Sequence, residues 1–317
     1  MNNDTVTQNR IIVLPDMAAQ RIDNFLHTRL KGIPRSMLYR ILRTGVVRVN
    51  QRRIKPQYKL QFGDEVSYPN FATTPQKNTI NTSQAAIFSA LEHSILYEDE
   101  YVVGLNKPSG IAVHGGTGLR FGIIEALRAL RPPTSFLELV HRLDRDTSGV
   151  LLLAKKRSSL RILHDQLREK SMKKDYLALV QGQWPTHTRV VDAPLLKRIK
   201  VHNYQKMCVS SAGKPSITLF QIEESYAQVA TLVKASLVTG RMHQIRVHAS
   251  HAGHPIALDY RYGTHEFRKK MSYIGLNRLF LHATTLSFIH PRNGKQISIK
   301  APLDDELRKC LETLRGK

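Results

Sequence analysis

The chain turns on His141-Arg142-Leu143-Asp144-Arg145-Asp146-Thr147-Ser148-Gly149, which runs directly into Val150-Leu151-Leu152-Leu153-Ala154-Lys155. A continuous apolar run of strand length reads as a buried strand. The polar stretch before it is then a loop anchored at the edge of a core, which is where a reacting group is best held in place. Asp144 and Asp146 lie among Arg142 and Arg145, and carboxylates beside guanidinium groups are expected to stay ionised. Taken alone, these residues fit two readings, a charged turn ahead of a strand or a catalytic loop. Ser148 lacks the G-x-S-x-G elbow of a serine nucleophile and is set aside.

The surrounding composition narrows the field. The chain has 317 residues, enough for two domains, and 41% are apolar, enough for an ordinary soluble core. Its formal net charge is +23 and its pI about 10.2. Such an excess predicts a polyanionic partner, with nucleic acid ahead of an anionic membrane surface, because no basic amphipathic helix with an aromatic face is evident. Cys208 and Cys310 are far apart and form no C-x-x-C pair, so neither a disulfide framework nor a thiolate zinc site is expected. No signal peptide and no run of transmembrane length is seen, and a cytoplasmic protein is expected.

Outward from the loop, two regions separate. Between Gln20 and Leu60 there are eleven Lys or Arg and one acid, Asp23. Ile22, Phe25 and Leu26 share a helical face, and Ser36 is placed to cap a second helix with Leu38, Ile41 and Leu42 inward. That helix sets Arg35, Tyr39 and Arg43 in line, Gly45 ends it, and Val46 to Ile54 read as a twisted hairpin. A short strand is expected at Ile11–Leu14. The boundaries expected are a small domain at 18–69, a polar linker at 70–90 and a larger domain at 91–317. In the larger domain, strands are expected at Ile95–Tyr97, Tyr101–Leu105, Gly110–His114, Lys173–Gly182, Val229–Leu237, Leu279–Ala283 and Leu286–Phe288. Helices are expected at Ile124–Leu130, Ser159–Lys170 and Leu303–Leu314, and hairpins over 183–226. Thr239 to His248 reads as a turn opening a helix.

The signature loop resembles that of the RluA family of pseudouridine synthases. Lys107-Pro108-Ser109-Gly110, Lys174-Asp175-Tyr176 with Gly182, Gly240-Arg241-Met242-His243-Gln244-Ile245-Arg246-Val247-His248 and Leu281-His282-Ala283 match it in the same order, over about residues 95–302. Residues 19–69 resemble the S4 RNA-binding module through Arg21-x-Asp23-x-x-Leu26, Arg35-Ser36 and Val47-x-Val49-Asn50. The resemblance implies an α+β fold, with a mostly antiparallel mixed sheet behind a small α/β-hairpin module. It implies isomerisation of uridine to pseudouridine in large-subunit ribosomal RNA, free or in an assembling particle. It assigns Asp144 as the catalytic carboxylate, Arg246 as its partner and Tyr176 as the ring stacked on the target base. Arg142, His141 and Leu281 are expected to contact the substrate, and Arg35, Tyr39 and Arg43 to grip RNA. Gly104 and Ser216 depart slightly from the family pattern.

From the residues alone, other readings stay open. Arg246 also suits a phosphate, Tyr176 a core position, and Arg142 a pairing with Asp146. His243, His248, His251 and His254 crowd into twelve positions, but no Cys, Asp or Glu joins them at zinc spacing, so no metal is expected. The rearrangement has no redox step, so no cofactor is implied. A monomer with no membrane partner is expected. The alternative function is a non-catalytic RNA-binding ribosome assembly factor.

Overall fold

The computed structural model describes residues 8–30, 33, 35–70, 91, 93–115, 122–131, 136–201 and 204–316, with backbone alone at 35–36, 198–201 and 204–205. The chain divides into two compact units, residues 1–80 and 81–317. Most of the linker expected at 70–90 lies outside the described residues.

In the first unit, β1 (Gln8–Ile12), α1 (Ile22–Arg29), α2 (Arg35–Arg43), β2 (Arg48–Val49) and β3 (Glu65–Pro69) build a three-stranded antiparallel sheet, order β1-β3-β2, with two helices. Its core gathers Ile22, Phe25, Leu26, Leu38, Ile41, Leu42, Val49 and Val66. The two expected helices form, but α2 starts at Arg35, so Ser36 lies inside it and does not cap it. β1 begins earlier than expected, and the expected hairpin is shorter. Asn50 and Gln51 take positive φ, 49° and 65°, and turn the chain so that Arg52 pairs back with Val49, while β2 pairs with β3. The lone acid of this stretch, Asp23, is buried at 7% exposure. It accepts two hydrogen bonds from Arg21, at 3.1 and 2.6 Å, and one from the Tyr39 hydroxyl at 3.3 Å.

The second unit follows as β4 (Ile95–Glu98), β5 (Val102–Lys107), α3 (Ile123–Ala129), β6 (Glu138–Leu139), β7 (Ser148–Ala154), α4 (Arg157–Arg168), β8 (Lys173–Gln181), β9 (Val190–Asp192), β10 (Leu195–Val201) and β11 (Tyr204–Val209). It closes with β12 (Ile217–Tyr226), β13 (Ala230–Leu237), α5 (Gln244–His251), α6 (His265–Tyr273), β14 (Leu281–Ile289), β15 (Gln296–Lys300) and α7 (Asp305–Leu314). Among the described residues there is a ten-stranded sheet, whose main path is β4-β5-β7-β14-β8-β13-β12-β9. All its pairs are antiparallel except β7 with β14, and β10–β11 stand apart as a hairpin. This is the mixed α+β fold expected.

β7 explains its own sequence. Every residue of it is buried. Leu151 and Leu153 enter the core under α3 and α5, while Val150, Leu152 and Ala154 face the opposite layer with Leu163 of α4. A strand covered on both faces has no polar side, which is why the run is unbroken. Each fully buried Leu contributes roughly 1.5–3 kcal/mol, so the register of β7, and with it the loop feeding it, is firmly set. Gly104 is accounted for by the same packing, since Ile299 of β15 fills the space its side chain would take.

Two expectations fail for identifiable reasons. Gly110–His114 is not a strand, because its carbonyls are claimed elsewhere. Ile111 O accepts from Lys107, and Ala112 O and Val113 O accept from the first N–H groups of α3. Leu279–Ala283 and Leu286–Phe288 are not two strands, since β14 runs continuously past an irregularity between Ala283 and Thr285.

Gly149, the second residue of β7, sits at φ +105°, and a Cβ there would run into the backbone of Ala283 on β14. Gly149→Ala is expected to lower stability by about 3 kcal/mol or more. A urea unfolding midpoint equal to that of the parent would contradict this packing.

Candidate active site

Three successive carbonyls of the signature loop are held from outside or within it. Asp144 O accepts from Thr147 N at 3.2 Å and Asp146 O from Ser109 Oγ at 2.8 Å. Arg145 O accepts twice, from Gly110 N at 2.9 Å and from Lys107 Nζ at 2.9 Å. Lys107 is fully buried, and its ammonium also donates to Pro108 O and Ile111 O, both at 2.8 Å. Burial pushes its amine down to about 7, with Arg278 adding to that and Asp146 and Asp144 opposing it. Three carbonyl acceptors match the three N–H of the charged form.

The loop's two ends are fixed as well. His141 Nε2 accepts the Leu152 N–H at 3.1 Å. Burial pushes that imidazole down to about 4, so it is neutral at pH 7. At the other end, the Ser148 hydroxyl lies 2.8 Å from His282 Nδ1 and accepts from Arg278 Nη2 at 2.6 Å. Ser148 is therefore a buried structural hydroxyl.

So held, the loop sets Asp144 in a cleft of about 670 Å³ lined by Arg142, Tyr176, Arg241, Arg246 and Leu281, among others. Arg168, Lys170 and Lys174 also face it, and among the described lining residues Asp144 is the single carboxylate. Its Oδ2 lies 3.7 Å from Arg246 Nη1 and 3.7 Å from His243 Nε2. Asp146 pairs instead with Arg145, at 3.0 Å, so the alternative pairing of Arg142 with Asp146 is not formed. Arg142 is exposed. Tyr176 is buried on β8 and registers with Ala283 and Ala235 on the flanking strands. Burial, with the charge of Asp144, raises its phenol above the ordinary value.

Arg246 comes from the first turn of α5. Its Nε and Nη2 grip the two oxygens of Asp259 at 2.7 and 2.8 Å, and Nη1 is left pointing to Asp144. Burial works against the Arg246 charge, but the hydrogen bonds and charge of Asp259, joined by Asp144, outweigh it. Asp259 is fully buried. Burial would raise its carboxyl, yet Arg246 and the N–H groups of Arg261 and Tyr262 hold it below the usual range. His243 precedes α5 in the left-handed region, φ 54° and ψ 22°, and its Nδ1 meets the Tyr262 hydroxyl at 2.8 Å. Burial pushes this ring down to about 4, Asp144 opposing and Arg246 and Arg261 reinforcing the shift.

Asp259 and Tyr262 are not singled out by sequence reasoning. Asp259-Tyr260-Arg261-Tyr262 reads as an ordinary polar turn, and nothing in its spacing points to Arg246 thirteen residues earlier. The clustered histidines do not converge. His248 spends both nitrogens inside the fold, on Thr218 Oγ1 and Ala193 O, and His254 Nδ1 meets Gln181 O. Among the described residues no group of three or more His, Cys, Asp or Glu is placed to hold a metal ion. In the first unit, Tyr39, Arg40, Arg43, Arg53 and Lys55 line a second, strongly basic recess. The side chain of Arg35 lies outside the described residues.

A basic cleft around one carboxylate, on this sheet, defines a class. Residues 101–251 match the RNA pseudouridylate synthase family, and residues 20–66 match the S4 domain. The chain is 58% identical over 318 residues to ribosomal large subunit pseudouridine synthase C of Escherichia coli O157:H7, covering 100% of this chain and 99% of that protein. The chain belongs to the RNA pseudouridylate synthase family. The ribosomal large subunit pseudouridine synthase C of Yersinia pestis is 59% identical over 313 residues, or 99% of this chain and 97% of that one. The solved structure of human RNA pseudouridylate synthase domain containing 4 superposes with a TM-score of 0.60 at 25% identity, over 74% of this chain and 97% of that chain.

The two depressed imidazoles give a pH prediction. Between pH 4 and 6.5, His141 and His243 are neutral in the fold and protonated in the unfolded chain. The unfolded state then binds more protons, so stability rises with pH across that window and falls on acidification. Moving from pH 7 to pH 5 is expected to cost about 2 kcal/mol per ring. Urea unfolding at the two pH values checks this, and equal midpoints would refute it.

Proposed function

We propose that this protein isomerises uridine to pseudouridine in large-subunit ribosomal RNA, with Asp144 as the catalytic carboxylate. The observation that carries the reading is the isolation of Asp144, held by an anchored loop as the one acid among the described residues of a cleft whose charged lining is otherwise Arg142, Arg168, Lys170, Lys174, Arg241 and Arg246. The relatives named for large-subunit pseudouridine synthesis, alike over essentially the whole chain, supply the substrate class.

The reaction breaks the C1′–N1 bond, turns the uracil and joins C1′ to C5. The C5 proton leaves and N1 ends protonated, with no net redox change. Asp144 supplies the carboxylate next to the sugar and base. Arg246 sets a guanidinium nitrogen 3.7 Å from that carboxylate, a counter-charge fixed from another element. Tyr176 and Leu281 offer the apolar wall on which a uracil rests. A uridine inside folded RNA must leave its stack to reach the cleft, at a cost of a few kcal/mol. Arg142, exposed at the cleft, is placed to occupy the space the base leaves, and His141 steadies the loop that carries it. The first unit adds phosphate contacts through the recess lined by Tyr39, Arg40, Arg43, Arg53 and Lys55. We place the protein in the cytoplasm, acting as a monomer on free RNA or an assembling particle. A pure RNA binder would have no use for a buried Arg246–Asp259 pair aimed at a lone carboxylate.

Asp144→Asn is expected to abolish pseudouridine formation while RNA binding and folding persist. Mapping of the product base checks it, and turnover in that variant would sink the assignment. Removing residues 1–85 is expected to weaken RNA binding and to flatten the dependence of log K on log salt, since each phosphate no longer neutralised by the protein lowers the slope by roughly 0.7–0.9. An unchanged slope in filter binding would rule out the proposed role of the first unit.

A further inference from the structure

Tyr262 stands where three parts of the second unit meet. Its hydroxyl accepts the Met207 N–H of β11 at 3.0 Å and lies 2.8 Å from His243 Nδ1. Its ring packs with Leu195, Met207 and Val247, which join the root of the β10–β11 hairpin to α5. Arg246 Cζ lies 5.2 Å from the ring centre and Lys206 Nζ 5.4 Å. Lys206 and Lys197 are exposed on the hairpin, the first beside Met207 in the chain and the second opposite it across the strands.

These contacts assign protons. The phenol oxygen already receives the Met207 N–H. Its own hydrogen has one acceptor among the described residues, His243 Nδ1. Burial raises the phenol's pKa, so that hydrogen is retained at neutral pH. A neutral imidazole that accepts at Nδ1 carries its hydrogen on Nε2. That N–H faces Asp144 Oδ2 at 3.7 Å, a separation a small movement of the carboxylate closes. The His243 backbone is held in the left-handed region, which a side-chain-bearing residue rarely adopts unless its surroundings enforce it.

We propose that Tyr262 is a positioning residue, which holds the His243 imidazole as an N–H donor facing the Asp144 carboxylate and ties that ring to the root of the basic hairpin. The proposal rests on the reading of Asp144 as the catalytic group. Nothing in it requires Tyr262 to touch substrate. Its role is to choose the tautomer of His243 and to tie the hairpin root, by hydrogen bonds, to the ring that faces the carboxylate.

The test combines spectroscopy with kinetics on the full chain. In the parent protein, nitrogen NMR of His243 is expected to show the Nε2–H tautomer between pH 6 and 8. Tyr262→Phe keeps the ring and loses the hydroxyl. It is expected to lose the fixed tautomer and to lower kcat on a ribosomal RNA fragment by about tenfold or more, with RNA affinity within about twofold of the parent. His243→Gln is expected to lower kcat similarly, and the double variant to be no slower than the slower single, because both act on one line. The Nδ1–H tautomer in the parent, an unchanged kcat in Tyr262→Phe, or independent losses in the double variant would each overturn the proposal. Turnover in Asp144→Asn would instead remove the reading beneath it, so the two failures are distinguishable.

Discussion

The second unit depends on the amino group of Lys107, which is fully buried. Taking a charge out of water costs several kcal/mol unless it is matched by partners, and Lys107 is matched by three carbonyls from two loops. The arrangement constrains both sides. The lysine cannot leave without stripping its hydrogen bond from Pro108 O and Ile111 O, each costing about 1–3 kcal/mol when buried and unpaired, and leaving Arg145 O with Gly110 N alone. The Lys107–Gly110 turn and the Asp144–Asp146 segment must then keep one mutual position. Ser109 and Gly110 reinforce it by bonding the same segment. The signature loop is rigid because its backbone, and not its side chains, is what the neighbouring turn holds.

Backbone anchoring leaves the loop's side chains free to face the cleft. Arg145 satisfies Asp146, and Asp144 is left with contacts at 3.7 Å that are too long for good hydrogen bonds. Its counter-charge is supplied from a different element, and in a form that does not immobilise it. Arg246 spends its bidentate edge on Asp259, which fixes the guanidinium plane, and presents only Nη1 to Asp144. A bidentate grip on Asp144 itself would have locked the carboxylate away from a substrate. The buried Asp259 thus fixes a buried arginine beside an acid that it does not clamp.

How much of this can be read from sequence follows from the range of each interaction. β7 is legible because burial on both faces writes itself into consecutive residues, and the first-unit helices because their apolar spacing is local. Asp144, Tyr176 and Arg246 are found through a resemblance carried by short motifs, and the fold brings all three to one cleft. Asp259 and Tyr262 escape because their partners lie in another segment and their own stretch has no periodicity. Gly110–His114 misleads because a short apolar run implies a strand only if its carbonyls are free for a neighbour, and here a lysine and a helix end take them. β14 reads as two strands because a local irregularity looks, in one dimension, like a turn.

The same economy bears on Arg142. Its neighbour Arg145 occupies Asp146, and Asp144 looks to Arg246, so no acid of the loop is left for Arg142. An exposed guanidinium at the rim of a cationic cleft gains nothing from further cations and is repelled by them. In the proposed role, RNA reverses that balance, because phosphates and the polar edges of bases are acceptors that the loop does not offer this side chain. The excess of positive charge around Asp144 is therefore of little use to the free protein. It becomes favourable when a polyanion enters, and the arrangement of the cleft makes sense as one half of a complex.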